Sequence, residues 1–284
     1  MSRPTSRKYP PRVPSNPHRA LSQSKRAHPQ RPRLSTAADL EQIHQWVTAA
    51  ARSRAERHFL THWDLTVRAH HERNLIVYPA AETAFPIAYE WGRLVEPGGH
   101  LQVHPDYRRQ RIGSVIVQHR ITQAHSHDDE LLYVPCRPTS SIPFWIKNGF
   151  ALHRLSPSKT FAYRTLARSL ACPPGGKPVA ATIRFLPNSV KHGASPVAPL
   201  STTTTTALAY PNGIVRLPER VHFFSRLYPA ADEVLIEIQI NDAILCQAPT
   251  QSDEAASAGV FRCRSLNGYY IDRIATALRG IRSA

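Results

Sequence analysis

Val103–Ser114, V-H-P-D-Y-R-R-Q-R-I-G-S, constrains the fold of this 284-residue chain more than any other stretch. A strand ends there, a turn follows, and a helix begins with positive charge at its mouth. In Leu101–Val103 the apolar residues alternate around Gln102, and His104-Pro105-Asp106 supplies the turn residues that end the strand. From Arg111 the period changes, because Ile112, Val115, Ile116 and His119 recur at helical spacing. The backbone N–H groups of Arg109, Gln110, Arg111, Ile112, Gly113 and Ser114 would then point out of a helix N-terminus, where orphan donors and the macrodipole favour an anion. Gly113 lets a ligand come close to the backbone, and Arg108, Arg109 and Arg111 bring charge suited to a pyrophosphate. Taken alone, Y-R-R-Q-R also reads as a solvated basic turn that seeks DNA.

The next residues decide between these readings. The helix fades at His125–Asp129, and Leu131-Leu132-Tyr133-Val134 is a short continuous apolar run that predicts a buried parallel strand. Thr139-Ser140-Ser141 offers an N-cap for a short helix over Ile142–Lys147, which Asn148-Gly149 ends before a strand that starts at Phe150. This order resembles the GNAT superfamily of acyl-CoA-dependent N-acyltransferases. The first motif of that family is a strand ending in V-x-P-x-Y, then Arg or Gln, two residues, Gly, one residue, and Gly or Ala. Here Arg108 takes the leading position and Gly113 the last glycine, while Arg111 stands where the first glycine is usual. The second motif, typically F-Y-x-K-x-G-F, is matched by Phe144-Trp145-Ile146-Lys147-Asn148-Gly149-Phe150. The resemblance covers roughly residues 37–166, about half the chain.

What the resemblance implies is an enzyme that uses acetyl-CoA. The thioester carbonyl would be held by backbone N–H of the strand bearing Leu101 and Val103, with pantetheine on that strand's exposed edge, where it splays from Leu131–Val134. In many members the second-motif tyrosine protonates the leaving thiolate. Trp145 stands there instead, with an indole N–H but no proton to give at a useful pKa, so it reads as a core or cofactor-packing aromatic. The general base would be a Glu or His near the cofactor strand. Candidates are Glu90 on the preceding strand, Glu96 in the connecting loop and His100 at the start of the cofactor strand, each of which also reads as an ordinary surface residue.

No metal is expected. His58 and His62 share a helical spacing, but Phe59 replaces the glutamate of H-E-x-x-H, and His100 and His104 flank a strand that holds them apart. The four cysteines are scattered and form no paired framework, which suits a reducing cytoplasm, and no run of eighteen apolar residues suggests a membrane span.

Residues 1–34 are rich in Pro, Ser and Arg without one carboxylate, which predicts a disordered basic tail able to bind nucleic acid or another polyanion by counterion release. The folded part, residues 35–168, begins where Ser35 or Thr36 caps a helix whose apolar face is Leu40, Ile43, Trp46 and Val47. A second helix is expected over Arg54–His71, then strands at Leu75–Tyr78, Phe85–Trp91, Ala151–Leu155 and Phe161–Leu166. Residues 169–212 read as a Pro/Thr-rich linker with one strand at Thr182–Leu186. Residues 213–284 read as a small α+β module: a hairpin of Val234–Ile240 and Ala243–Cys246 around Asn241-Asp242, a strand at Val260–Cys263, and a terminal helix faced by Tyr270, Ile271, Ile274, Leu278 and Ile281. The expected class is therefore α/β, a GNAT-like mixed sheet flanked by helices, with a tail and an appended module.

The leading expectation is an N-acetyltransferase acting on an amine by direct attack in a ternary complex. The net charge of +16 disfavours a cationic acceptor such as a polyamine and favours an anionic or nucleic-acid-associated one. Some members of the resembled superfamily are toxins that acetylate the amino acid on charged transfer RNA; the charge fits that class, whereas Trp145 weighs against it. The alternative is a non-catalytic nucleic-acid-binding protein with a degenerate GNAT fold. The residues leave the acceptor, the oligomeric state and the role of residues 213–284 open.

Overall fold

The computed structural model describes residues 30–52, 60, 62–92, 94, 99–156, 159–187, 198–228, 233–263 and 266–276. The first half carries two antiparallel sheets. One has the order β1 (Arg33–Leu34), β2 (Ile76–Pro79), β3 (Pro86–Trp91), β4 (His100–Val103). The other has β5 (Leu131–Pro135), β7 (Lys159–Thr165) and β6 (Ala151–Ser156), with β7 in the middle. Among the described residues four α-helices accompany them: α1 (Ala37–Ala50), α2 (Trp63–His71), α3 (Ile112–Ser126) and α4 (Ile142–Lys147). The chain is thus a mixed α/β protein.

The last two residues of the expected tail, Arg33 and Leu34, form strand β1. Arg33 pairs with Val77 across the β1–β2 ladder, and its guanidinium grips both oxygens of Asp39 at 2.6 and 3.0 Å. The expected tail through residue 29, and residues 54–59 and 61 of the expected second helix, lie outside the described residues. Thr36 caps α1 through a capping box with Asp39, and Ile43, Trp46 and Val47 turn inward onto β3. Every residue of β3 is buried, because α1 and α2 cover one face and α3 the other.

The Leu131–Val134 run forms β5 as expected, but its ladder is antiparallel, with β7. A continuous apolar run reports burial on both faces and carries no information on strand direction. Toward β4 it shares no ladder among the described residues. A single backbone bond, Tyr133 N–H to the Leu94 carbonyl at 2.7 Å, reaches across instead. β4 and β5 therefore splay, and α3 and α4 pack Val117, Ile121 and Trp145 against Leu132 and Val134 behind the gap.

The expected linker is largely sheet. Residues 177–187 form β8 and residues 201–209 form β9, paired in continuous register from Lys177 opposite Ala209 to Phe185 opposite Ser201. The threonine run looked like low complexity, yet β-branched residues suit a pleated surface, and Thr202, Thr204 and Thr206 take its exposed face. With β10 (Ile214–Phe224), β11 (Val234–Ile240), β12 (Ala243–Pro249), β13 (Phe261–Arg262) and β14 (Gly268–Ala275) they make a seven-stranded sheet of order β12-β11-β8-β9-β10-β14-β13. Its buried face closes over α5 (Asp253–Ala258), which places Ala255 and Ala258 in the core.

The expected terminal helix is strand β14. Ile271 and Ile274 are both buried at a helix-like spacing of three, because the β10–β14 register shifts between Arg216/Arg273 and Val221/Ile271. The bulge hid a period of two. Leu278 and Ile281 lie outside the described residues.

The seven-stranded sheet docks on the outer face of β5 and β7, where Leu131, Tyr133, Phe161 and Tyr163 meet Phe224, Leu227, Cys263 and Leu266. The connecting segment is stitched to β10 by Arg220 N–H to the Arg168 carbonyl and Leu170 N–H to the Pro218 carbonyl, both 2.9 Å. Beside this junction His222 stacks on Phe224, and burial, reinforced by Arg220, pushes its imidazole down to about 4. The unfolded chain would take up that proton near 6.5. Stability is therefore complete above about pH 6.5 and falls as pH drops toward 4. Replacing His222→Gln is expected to flatten part of the slope of unfolding free energy against pH in that window, measured by urea denaturation; an unchanged slope would place the proton uptake elsewhere.

Candidate functional site

The turn from β4 into α3 holds most of the residues expected to bind a cofactor. Pro105–Tyr107 makes one 3-10 turn, which the His104 imidazole caps by accepting from Asp106 N–H at 3.3 Å. The His104 ring is wedged among Trp46, Phe85 and Tyr107. The chain then crosses Arg108-Arg109-Gln110-Arg111 to α3. Arg109 and Arg111 adopt left-handed backbone, with φ of 64° and 63°. A side chain there costs roughly 1–2 kcal/mol per residue relative to an ordinary conformation. Glycine is the usual residue at the second of these positions in the resembled motif, so the backbone shape persists although the residue has changed.

This geometry sets the chemistry of the α3 N-terminus. Arg111 is its N-cap and no side chain caps it; no acidic residue occupies its first turn. The first N–H groups of a helix have no intrahelical acceptor, and the macrodipole adds about half a positive charge there. Arg108, Arg109, Gln110 and Arg111 are all exposed around this end. Arg108 is partly committed, donating from Nε to the Val103 carbonyl at 3.2 Å. The Gln110 carboxamide lies against the Asp106 carbonyl. Arg109 and Arg111 form no ion pair with the described residues. The turn thus sets orphan backbone N–H groups beside exposed guanidiniums, with no carboxylate in the first turn of α3, a combination suited to an anion. Ser114 belongs to the same first turn.

Gly113 serves packing rather than ligand approach. A Cβ there would stand 3.1 Å from Phe144 Cε2 and 3.7 Å from Val103 Cγ2, so the bare Cα lets α3 lie against α4 and β4. Ile112, Leu101 and Val103 face the same apolar layer beneath the turn. Their side chains support the turn, while the edge of β4, which pairs with no further strand among the described residues, offers main-chain groups to the gap before β5. Trp145 is 6 % exposed inside the cluster of α3, α4 and β5, stacked edge-on against Phe144 and Phe150. It is a core residue, and the expectation that it also contacts a cofactor has no surface to act through.

The two catalytic candidates separate. Glu90 is fully buried on the α3 side of β3, and its Oε2 accepts from Arg120 Nε in an ion pair. Arg120 also donates to the Asn74 carbonyl at 2.9 Å and to Gln123 at 2.8 Å. That carboxylate ties the sheet to α3 and does not open on the gap. Glu96 lies outside the described residues. His100 lies on the opposite face of the sheet, half-buried, its ring stacked on Trp91 at 5.4 Å and on Tyr89 at 5.6 Å. Its Nε2 is 3.4 Å from the Tyr89 hydroxyl, which donates to Gln102 Oε1 at 2.8 Å. The Tyr89 hydroxyl thus links the His100 ring to Gln102 along one face of the sheet.

Tyr89, Trp91 and Gln102 were missed in the sequence. Their signal was alternation: residues 89 and 91 share a strand face, and the β3–β4 register sets Tyr89 opposite Gln102 and Trp91 opposite His100. Gln102 Nε2 and Trp91 Nε1 are buried and make no hydrogen bond with the described residues. Among the described residues no group of three or more His, Cys, Asp or Glu side chains is arranged to hold a metal ion, and no helix is long and apolar enough to cross a membrane.

No protein-family model matches the chain, and no curated protein matches it. Solved structures similar to it include a GNAT-family acetyltransferase from Listeria monocytogenes 4b F2365, 8% identical over 48% of this chain and 94% of that one, with a TM-score of 0.38. Another is a GNAT-superfamily phosphinothricin acetyltransferase from Sinorhizobium meliloti in complex with AcCoA, 15% identical over 49% and 89%, with a TM-score of 0.37. A third is the PaiA N-acetyltransferase from Thermoplasma acidophilum in complex with coenzyme A, 13% identical over 47% and 97%, with a TM-score of 0.33. These neighbours are acetyltransferases, similar at low identity over about half of this chain.

If the Glu90–Arg120 pair is structural, Arg120→Ala leaves a buried carboxylate uncompensated. The variant is expected to lose about 3–5 kcal/mol in urea unfolding. A loss below about 1 kcal/mol would show that Glu90 is accessible enough to be solvated.

Proposed function

We propose that the chain is an N-acetyltransferase that takes its acetyl group from acetyl-CoA and passes it to an amine. The observation that carries the reading is the α3 N-terminus: uncapped, free of acidic residues, and entered through two left-handed arginines. Such an end fits a pyrophosphate. When bound, the cofactor supplies an activated acyl group as a thioester. The first-turn N–H groups of α3 hold its diphosphate, and Arg109 and Arg111 neutralise the remaining charge. The unpaired edge of β4 lends backbone N–H groups to the pantetheine arm and to the carbonyl oxygen as negative charge gathers on it.

His100 is the base in this reading. Its imidazole, placed beside the Tyr89 hydroxyl, accepts the proton that an attacking ammonium must lose. Stacking on Trp91 and Tyr89 fixes the ring. With Trp145 buried, the leaving thiolate takes its proton from water or from the acceptor. The excess of basic residues, 36 against 20 acidic, favours an anionic acceptor or one associated with nucleic acid.

A second reading rests on Trp145 as well: a fold that has lost the family's acid could keep only a binding role on nucleic acid through the basic residues. That reading entails affinity for nucleic acid that falls steeply with salt and no turnover.

Calorimetric titration of acetyl-CoA is expected to give micromolar saturable binding, about −8 kcal/mol, lost on Arg109→Glu/Arg111→Glu. In an acceptor screen His100→Gln is expected to lower kcat by roughly 10²–10⁴-fold while cofactor affinity stays unchanged. Absence of saturable binding to the wild-type chain would discard the cradle; unchanged kcat in the His100 variant would discard the base.

A further inference from the structure

A cavity of about 430 Å³ lies in the C-terminal half, away from the α3 N-terminus, among the end of β10, the start of β11, the turn after β12 and the β13–β14 hairpin. That volume is within the range of roughly 300–1,000 Å³ usual for small-molecule sites. Its described lining includes Arg226 and Arg262 and no carboxylate. Arg262 lends Nη2 to the neutral Gln251 carboxamide at 3.2 Å and makes no ion pair with the described residues. Its charge therefore faces the cavity uncompensated by contact. Tyr228 and Asn267 add a hydroxyl and an amide to the same wall. The Tyr228 ring is fixed against Phe223 at 5.0 Å, and its hydroxyl makes no hydrogen bond with the described residues.

The backbone at residues 266–268 is tightly constrained. Leu266 and Asn267 hold left-handed backbone with φ of 47° and 48°, and Leu266 is buried against β5 and β7. The next residue, Gly268, has no room for a side chain, since a Cβ would come within 2.3 Å of Cys263 Sγ and 2.9 Å of the Phe223 carbonyl. Donors on rigid supports lose little entropy when a ligand arrives.

We propose that this cavity binds a phosphate-bearing small molecule of about mononucleotide size, its phosphate between Arg226 and Arg262 and its remaining polar groups on Gln251, Asn267 and the Tyr228 hydroxyl. Guanidinium groups match phosphate oxygens in both charge and fork geometry. The site does not depend on the acetyltransferase reading.

Adenosine 5′-monophosphate is the probe, titrated by calorimetry into the full chain, Arg262→Gln, Tyr228→Phe and Arg109→Gln/Arg111→Gln. The last variant removes charge at the α3 turn, where adenine nucleotides also have reason to bind. The expected result is one saturable site that survives in the α3-turn variant, weakens at least tenfold in Arg262→Gln, and weakens less in Tyr228→Phe. Both Arg262 and the Tyr228 hydroxyl can be altered without touching the core, and equal melting temperatures without ligand check this. Wild-type affinity in Arg262→Gln, loss of binding only in the α3-turn variant, or no saturation up to about 1 mM would each overturn the proposal.

Discussion

The buried pair of Glu90 and Arg120 is the contact on which the rest of the N-terminal half depends. Glu90 sits at the centre of a strand buried on both faces, and Arg120 lies two turns along α3 from the cradle. Together with the Arg120 contacts to Asn74 and Gln123, the pair fixes the rotation of α3 about its own axis relative to β3. A helix free to roll would carry its N-terminal N–H groups away from the β4 edge. Desolvating two charges is costly, so such a pair is a poor source of net stability, but breaking it is costly too, which makes it a good pin.

The turn that this pin positions is held in an uncommon shape. Arg109 and Arg111 occupy left-handed conformations that glycine enters freely and arginine does not. The chain thereby exchanges backbone ease for two more cations beside an uncapped helix. The strain is borne by the layer below, where Gly113 packs under Phe144 and Ile112 joins Ile87, Ala88 and Ile116. Strained backbone persists where the surroundings over-determine it, and this apolar layer is what does so here.

The C-terminal sheet changes what the N-terminal half can present. By covering Leu131, Tyr133, Phe161 and Tyr163 it buries the outer face of β5 and β7, leaving the gap beside β4 and the α1–α2 face, with His100, as the surfaces near the cradle. The backbone bonds between residues 168–170 and β10 make this docking continuous with the sheet itself. The two halves meet through side chains of both, not through a tether.

The sequence by itself determined the strand, turn and helix around Val103–Ser114 and the order of elements from Thr36 through Thr165, because those depend on local periodicity, capping and turn chemistry that neighbouring residues settle among themselves. Thr36 announced α1 in the same way. Tertiary structure decided what depends on distant partners. Glu90 looked like a base until Arg120, thirty positions away, claimed it. Gly113 looked like ligand room until Phe144 filled the space. The threonine run looked like a linker because composition reports polarity and not the pairing of 201–209 with 177–185. Ile271 and Ile274 mimicked a helix because a register shift in β10 cannot be seen from β14. The turn into α3 was legible because its shape is main-chain and local; the surroundings of side chains were not, because they are set by whichever residues the fold brings opposite.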